Sequence, residues 1–155
     1  MNFDKSNELR KKAHSLIPGG AHTYSKGDDQ FPELSPGFIV RGKGAYVWDL
    51  DGNKFIDWGM GLTSVVLGHA YDPIIMEIKK ELDNGSNFIL PSNIEAEVAE
   101  IISNQIPSAQ MVKFGKNGSD ASSSAVKLAR AYTGKNLILR CSDQPFLSIH
   151  DWFIG

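Results

Sequence analysis

The 155 residues carry 41% hydrophobic and 22% charged side chains, with 16 basic against 18 acidic groups for a net charge of -2. This is the balance of a soluble globular chain with enough apolar mass for one core, and it excludes disorder and a disulfide scaffold. A near-neutral charge offers no field to hold a polyanion, and no apolar run approaches the roughly 18 residues of a membrane helix, so neither nucleic acid nor membrane is an expected partner.

Leu9, Ala13, Leu16 and Ile17 recur at helical spacing behind Ser6, which predicts an amphipathic first helix capped by Ser6 and ended by Pro18-Gly19-Gly20. Residues 21–36 have no period and contain Thr, Ser, Gly, Asp and Pro, the composition of a long loop, a kind that is usually functional in a compact domain. Three short strands follow at Phe38–Arg41, Ala45–Trp48 and Lys54–Asp57, with Asp51-Gly52 supplying positive φ for a tight hairpin turn. A calcium loop over Asp49–Asn53 fails because its sixth position, which needs Gly, holds Lys54.

From Gly59 helices dominate. Asp72 and Pro73 are expected to open one with Ile74, Ile75, Ile78 and Leu82 as a core stripe and Gly85 as its stop. Ser92 and Glu95 form a capping box for the next, whose core stripe is Ile94, Val98, Ile101 and Ile102. Met111–Phe114 reads as a strand, Ala121, Ala125, Leu128, Ala129 and Tyr132 as the stripe of a helix closed by Gly134, and Leu137–Leu139 as a second strand. A β-α-β order calls for a parallel sheet with a right-handed crossover, so the expected fold class is α/β, a small N-terminal α+β segment followed by the opening of a parallel-sheet domain. A sheet ending just beyond Leu139 has an open edge, which predicts association or poor solubility.

The chemistry concentrates where the first of these parallel strands meets its helix, at Gly115-Lys116-Asn117-Gly118-Ser119-Asp120-Ala121. A helix N-terminus offers unpaired N–H groups and a positive dipole end, Gly118 admits close approach to the backbone, and Ser119 adds a hydroxyl donor, all suited to a phosphate. Asp120 would repel an anion, so its side chain is expected to turn away and cap the helix. A plain Asn-Gly-Ser helix cap that binds nothing fits the same residues. Neither a Walker loop nor the dinucleotide fingerprint is present. His14, His22, His69 and His150 have no metal-ligand spacing, and the single Cys141 reads as a buried strand residue, so no metal site is expected. The start, Met1-Asn2-Phe3-Asp4-Lys5, lacks a secretory layout, which makes a cytoplasmic location the expectation.

In order, Pro18-Gly19-Gly20, Val47-Trp48-Asp49-Leu50-Asp51-Gly52-Asn53-Lys54-Phe55-Ile56-Asp57, Leu67-Gly68-His69, Lys113 to Ala121 and Ala129-Arg130-Ala131-Tyr132-Thr133-Gly134 resemble the N-terminal part of class III pyridoxal-phosphate (PLP) aminotransferases, in the glutamate-1-semialdehyde 2,1-aminomutase-like branch. The resemblance implies fold type I, with residues 1–60 in the small domain and 61–155 beginning the large PLP-binding domain, in a cytoplasmic homodimer. It implies an aminotransferase or aminomutase that moves an amino group between small-molecule donors and acceptors through an external aldimine.

Carried over by position, Gly118 and Ser119 would hold the cofactor phosphate, and Phe146 would stack on its ring, keeping the aromatic face of the family's Tyr without the hydroxyl. Phe146 as a plain core aromatic is the other reading, and His150 is read as structural. Thr23 and Lys26 stand where the aminomutase offers a Ser and an Arg to the substrate carboxylate; a lysine binds as a point charge and gives up the bidentate grip. Lys26 as a solvated loop charge is the other reading. Trp58, Met60 and Leu62 would line the substrate mouth or form a hinge. The Schiff-base lysine and the aspartate on the ring nitrogen lie downstream of Gly155 in the family, so no catalytic residue is expected within the chain and it is expected to be inactive alone. A non-catalytic remnant or dimerisation module of the same fold, and a simple phosphate binder, are the alternatives.

Overall fold

The computed structural model describes residues 1–139, which form two compact units, Met1–Asn87 and Phe88 onward. Cys141, Phe146 and His150 lie outside the described residues.

The first unit opens with helix α1, Asp4–Leu16, followed by one-turn 3-10 segments at Pro18–Gly20, Tyr24–Lys26 and Asp28–Gln30. Strands β1 (Ile39–Lys43), β2 (Tyr46–Asp49) and β3 (Lys54–Ile56) form an antiparallel meander in the order β1-β2-β3. The meander expected from the sequence is present. Helix α2, Asp72–Leu82, completes the elements of this unit.

Turn chemistry sets the β2–β3 connection. Gly52 N bonds Asp49 O and only Gly52 of the turn pair takes positive φ, at 89°, while Asp49 N bonds Asn53 O. This is a three-residue loop with glycine at its left-handed position, so Asp51 is not the second positive-φ residue that the sequence suggested. Asp51 has another task. Its carboxylate accepts the N–H groups of Lys5 at 2.8 Å and Ser6 at 3.0 Å, and so caps α1 from 46 and 45 residues away. Ser6, expected as the cap, instead lies inside the helix and is fully buried. A carboxylate accepts more strongly than a hydroxyl and also meets the helix dipole, which is why the distant group serves. Burial pushes the Asp51 carboxyl up, but the Ser6 side chain and the Lys5 and Ser6 N–H groups outweigh it and hold the group below its ordinary value.

Helix α2 also starts one residue away from the expected cap: Tyr71 is its N-cap and Asp72 its first residue, where the acid suits the dipole. The apolar stripe is real but open, with Ile74, Ile78 and Leu82 all exposed. An amphipathic pattern demands a partner without supplying one.

In the second unit helix α3, Asn93–Gln105, begins with the expected capping box: Ser92 Oγ accepts from Ile94 N and Glu95 returns a bond to Ser92 N at 3.1 Å. Its stripe is likewise largely open at Ile94, Val98 and Ile101. Helix α4, Gly118–Thr133, ends as expected at Gly134, which takes φ 70° and bonds Arg130 O.

Two expectations fail here. Met111–Phe114 and Leu137–Leu139 form no strand among the described residues, so the only sheet there is the antiparallel meander and no parallel β-α-β pairing is present. A strand exists only with a hydrogen-bonded neighbour, and neither segment has one among these residues. The buried side of α4 also differs from the apolar stripe: Ser123 is buried and Val126 and Arg130 half-buried, whereas Leu128 and Tyr132 are 72% and 90% exposed.

Candidate cofactor and substrate site

The turn ahead of α4 is an Asn-capped helix start. Asn117 is the N-cap, accepting Asp120 N on its Oδ1 at 2.9 Å, and Ala121 N bonds Asn117 O at 3.3 Å. Asn117 and not Asp120 therefore caps the helix, correcting the role expected for Asp120. Asp120 packs beside Gly115, where an added Cβ would come within 3.2 Å of the Asp120 Cβ. The N–H groups of Gly118 and Ser119 precede the first intrahelical bond, as those of any first helical turn do. Gly118 is the informative residue. Its φ is not positive and a Cβ built there would meet nothing within 4 Å among the described residues. That open space leaves the backbone accessible to close approach by a ligand.

The loop bearing Thr23 and Lys26 belongs to the first unit. Both lie on one 3-10 turn, closed by a 3.0 Å bond from Lys26 N to Thr23 O, and both are exposed. The structure thus brings these two together, as it does Gly118 and Ser119.

Sequence reasoning missed how the first loop is anchored. Two residues beyond Lys26, Asp28 meets His14 Nε2 at 2.9 Å and Arg10 Nε at 3.4 Å. Hydrogen bonding from His14, with the Arg10 charge behind it, holds the Asp28 carboxyl below its ordinary value. Arg10 and His14 are four apart and share one helix face, a signal visible in the chain, but nothing local pointed to Asp28 as their partner.

Trp58, Met60 and Leu62, the expected rim of a substrate mouth, stand on the segment after β3. Trp58 is 85% exposed and Leu62 70%, and Met60 and Leu62 take left-handed backbone at φ 43° and 57°. Such backbone is unfavourable for L residues and persists only where the surroundings hold it.

With these pieces in place, comparison with known proteins is decisive. Residues 25–153 match the family model for aminotransferase class-III. The chain belongs to the class III aminotransferases. It is 41% identical over 140 residues to a glutamate-1-semialdehyde 2,1-aminomutase of Fusobacterium nucleatum subsp. nucleatum, an alignment covering 90% of this chain and 32% of that protein. Among solved structures, it is similar to the PLP internal aldimine form of the Sphingopyxis sp. FumI protein, at 30% identity and TM-score 0.83 over 95% of this chain and 36% of that one. An omega-transaminase from Sphaerobacter thermophilus matches at 32% identity and TM-score 0.76, over 84% and 29% of the two chains. The chain thus spans about a third of the length of the class III relatives it matches. The fold of their N-terminal portion is shared, and among the described residues no helix is long and apolar enough to cross a membrane.

Proposed function

We propose that the full-length protein is a PLP-dependent aminotransferase or 2,1-aminomutase, and that this portion supplies the phosphate-binding turn and part of the substrate loop. The carrying observation is Gly118, which stands with open space around it among the described residues at the start of a 16-residue helix. On this reading residues 1–60 belong to the small domain and 61–155 begin a large parallel-sheet domain, within a cytoplasmic homodimer. Gly118 and Ser119 would hold the phosphate through backbone N–H groups and the Ser119 hydroxyl, and Phe146 would cover the ring. The dipole and the N–H donors at the head of α4 suit a dianionic phosphate. When bound, PLP supplies the electrophilic carbonyl and the electron sink for moving an amino group.

The residues of this chain bind and orient. Thr23 offers a hydroxyl and Lys26 a point charge to a substrate carboxylate, held at the surface by the Asp28 anchor to α1. Purifying the full-length protein with added PLP tests the reading: a bound-cofactor absorbance band that borohydride abolishes is expected. A folded, dimeric protein that takes up no PLP would leave the non-catalytic module as the better account.

Lys26→Ala is expected to raise the KM for carboxylate-bearing amines by about 10-fold and to leave that for neutral amines within about twofold, as loss of one charged contact predicts. An equal effect on both classes would return Lys26 to the solvent.

A further inference from the structure

The tripeptide Asn-Gly-Ser occurs twice in the chain, at residues 84–86 and 117–119. Asn-Gly is the pair at which a backbone nitrogen most readily attacks the preceding side-chain amide, because glycine puts no side chain in the way and turns freely. The two copies share their local chemistry, so a difference in their reactivity is a difference of structure. A further glycine pair, Asp51-Gly52, offers a carboxylate in place of the amide. Both Asp51 oxygens are engaged by the Lys5 and Ser6 N–H groups, and an ionised carboxylate is a poor electrophile.

The fold treats the two copies differently. Asn117 is a helix N-cap at φ -144° and ψ 167°, its Oδ1 accepts Asp120 N at 2.9 Å, and Gly118 already belongs to the first turn of the 16-residue α4. A ring that joins Asn117 Cγ to Gly118 N requires the capping bond to break and the Asn117 backbone to rotate, which pulls Gly118 out of the helix. Asn84 is under no such restraint. It stands just past α2 on exposed backbone, with Gly85 at φ 98° and no helix or strand resuming before Asn93. Among the described residues its side chain makes one long hydrogen bond, from Nδ2 to Glu81 Oε2 at 3.4 Å. What opposes attack by Gly85 N is its bond to Leu82 O, at 3.1 Å, and that bond lies at the end of a helix, where opening costs least.

We propose that Asn84 is a site of spontaneous deamidation whose conversion loosens the end of α2, whereas Asn117 is protected by the cap it forms. Gly85 N gives its proton to a solvent base and attacks Asn84 Cγ; the Cγ–Nδ2 bond breaks, and Nδ2 leaves as ammonia with a proton taken from water. Water then opens the resulting succinimide at either carbonyl and leaves aspartate or isoaspartate at position 84. The net change is the gain of a water and the loss of an ammonia. The new carboxylate joins Glu81 and Asp83 at the negative end of the α2 dipole, where a further acid is repelled. The isoaspartate product also carries an extra backbone carbon, which shifts Gly85 N away from its place against Leu82 O. None of this depends on the aminotransferase reading.

The test incubates the full-length protein in mildly alkaline buffer, folded and in guanidinium chloride, and follows both Asn-Gly-Ser peptides by mass spectrometry, with isoaspartate counted by enzymatic methylation. In the folded protein Asn84 is expected to convert at least about 10-fold faster than Asn117, as a cap that must open first implies. In denaturant the two rates should come within about threefold of each other, because the shared tripeptide alone then acts. Asn84→Gln, whose longer side chain closes a ring poorly, should remove the isoaspartate signal from the first peptide. Asn84→Asp carries the new charge from the outset, and amide hydrogen exchange in the last turn of α2 is expected to quicken by roughly twofold to fivefold, the worth of a charge at a helix end. Equal rates at the two sites in the folded protein, a faster Asn117, or no conversion at Asn84 while the denatured chain converts would each overturn the site. A difference that persists in denaturant overturns its structural cause, and unchanged α2 exchange in Asn84→Asp overturns the loosening.

Discussion

Gly118→Val is expected to abolish measurable PLP retention in the full-length protein while leaving the unfolding midpoint of the PLP-free protein nearly unchanged. The two halves of that expectation come from one observation. A Cβ at Gly118 meets nothing within 4 Å, so the folded chain has room for a side chain there. A ligand whose phosphate sits against the backbone has no such room, because a β-branched group stands in its place. Ser119→Ala removes a hydroxyl donor and spares the N–H groups, so a smaller loss of about 1.5 to 3 kcal/mol in PLP affinity is expected, the range for a hydrogen bond to a charged group. Cofactor titration with parallel thermal melts separates binding from folding. Equal PLP affinity in wild type and both variants would place the phosphate elsewhere and reduce the turn to a helix cap.

Asp49→Ala should be the most destabilising single change in the first unit, by about 3 to 5 kcal/mol, as expected when a buried charged hydrogen-bond acceptor is lost. Asp49 is 1% exposed. Its two oxygens accept Asn53 N and Asn53 Nδ2, each at 2.7 Å, and Asn53 Nδ2 also donates to Asn2 O at 2.7 Å. Removing the carboxylate therefore strands two donors inside the hairpin and loosens the route by which Asp51 reaches the head of α1. Asp49→Asn keeps one good acceptor but turns an amide donor toward Asn53 Nδ2, so an intermediate loss is expected. Urea unfolding followed by the fluorescence of Trp48, which sits in β2 next to Asp49, reads the effect. A loss below about 1 kcal/mol would show that the hairpin holds α1 without this network.

The family resemblance was legible in the chain because it rests on ordered short motifs, and the match over residues 25–153 agrees with it. Within the site, Gly118 and Ser119 could be singled out because turn and cap chemistry is local: an Asn-Gly-Ser run before a helix says the same thing in any context. Long-range partnerships left no such trace. His69 was one of four scattered histidines until the fold set it 2.6 Å from Asp57, and Asp28 was an unremarked loop acid until α1 presented Arg10 and His14 to it.

By itself the sequence determined the features whose energetics close within a few residues. The hairpin around Gly52, the Ser92–Glu95 capping box and the stop at Gly134 are of this kind, since donor, acceptor and required φ all lie within one turn. Only the tertiary structure decided the rest. It gave the cap of α1 to Asp51 over Ser6, because a carboxylate brought in by the hairpin outcompetes a nearby hydroxyl. It turned Ser123 of α4 inward and left Leu128 and Tyr132 outward, and it withheld strands from Met111–Phe114 and Leu137–Leu139. Apolar periodicity records that a face needs covering, whereas burial and ladder pairing depend on which neighbour reaches it.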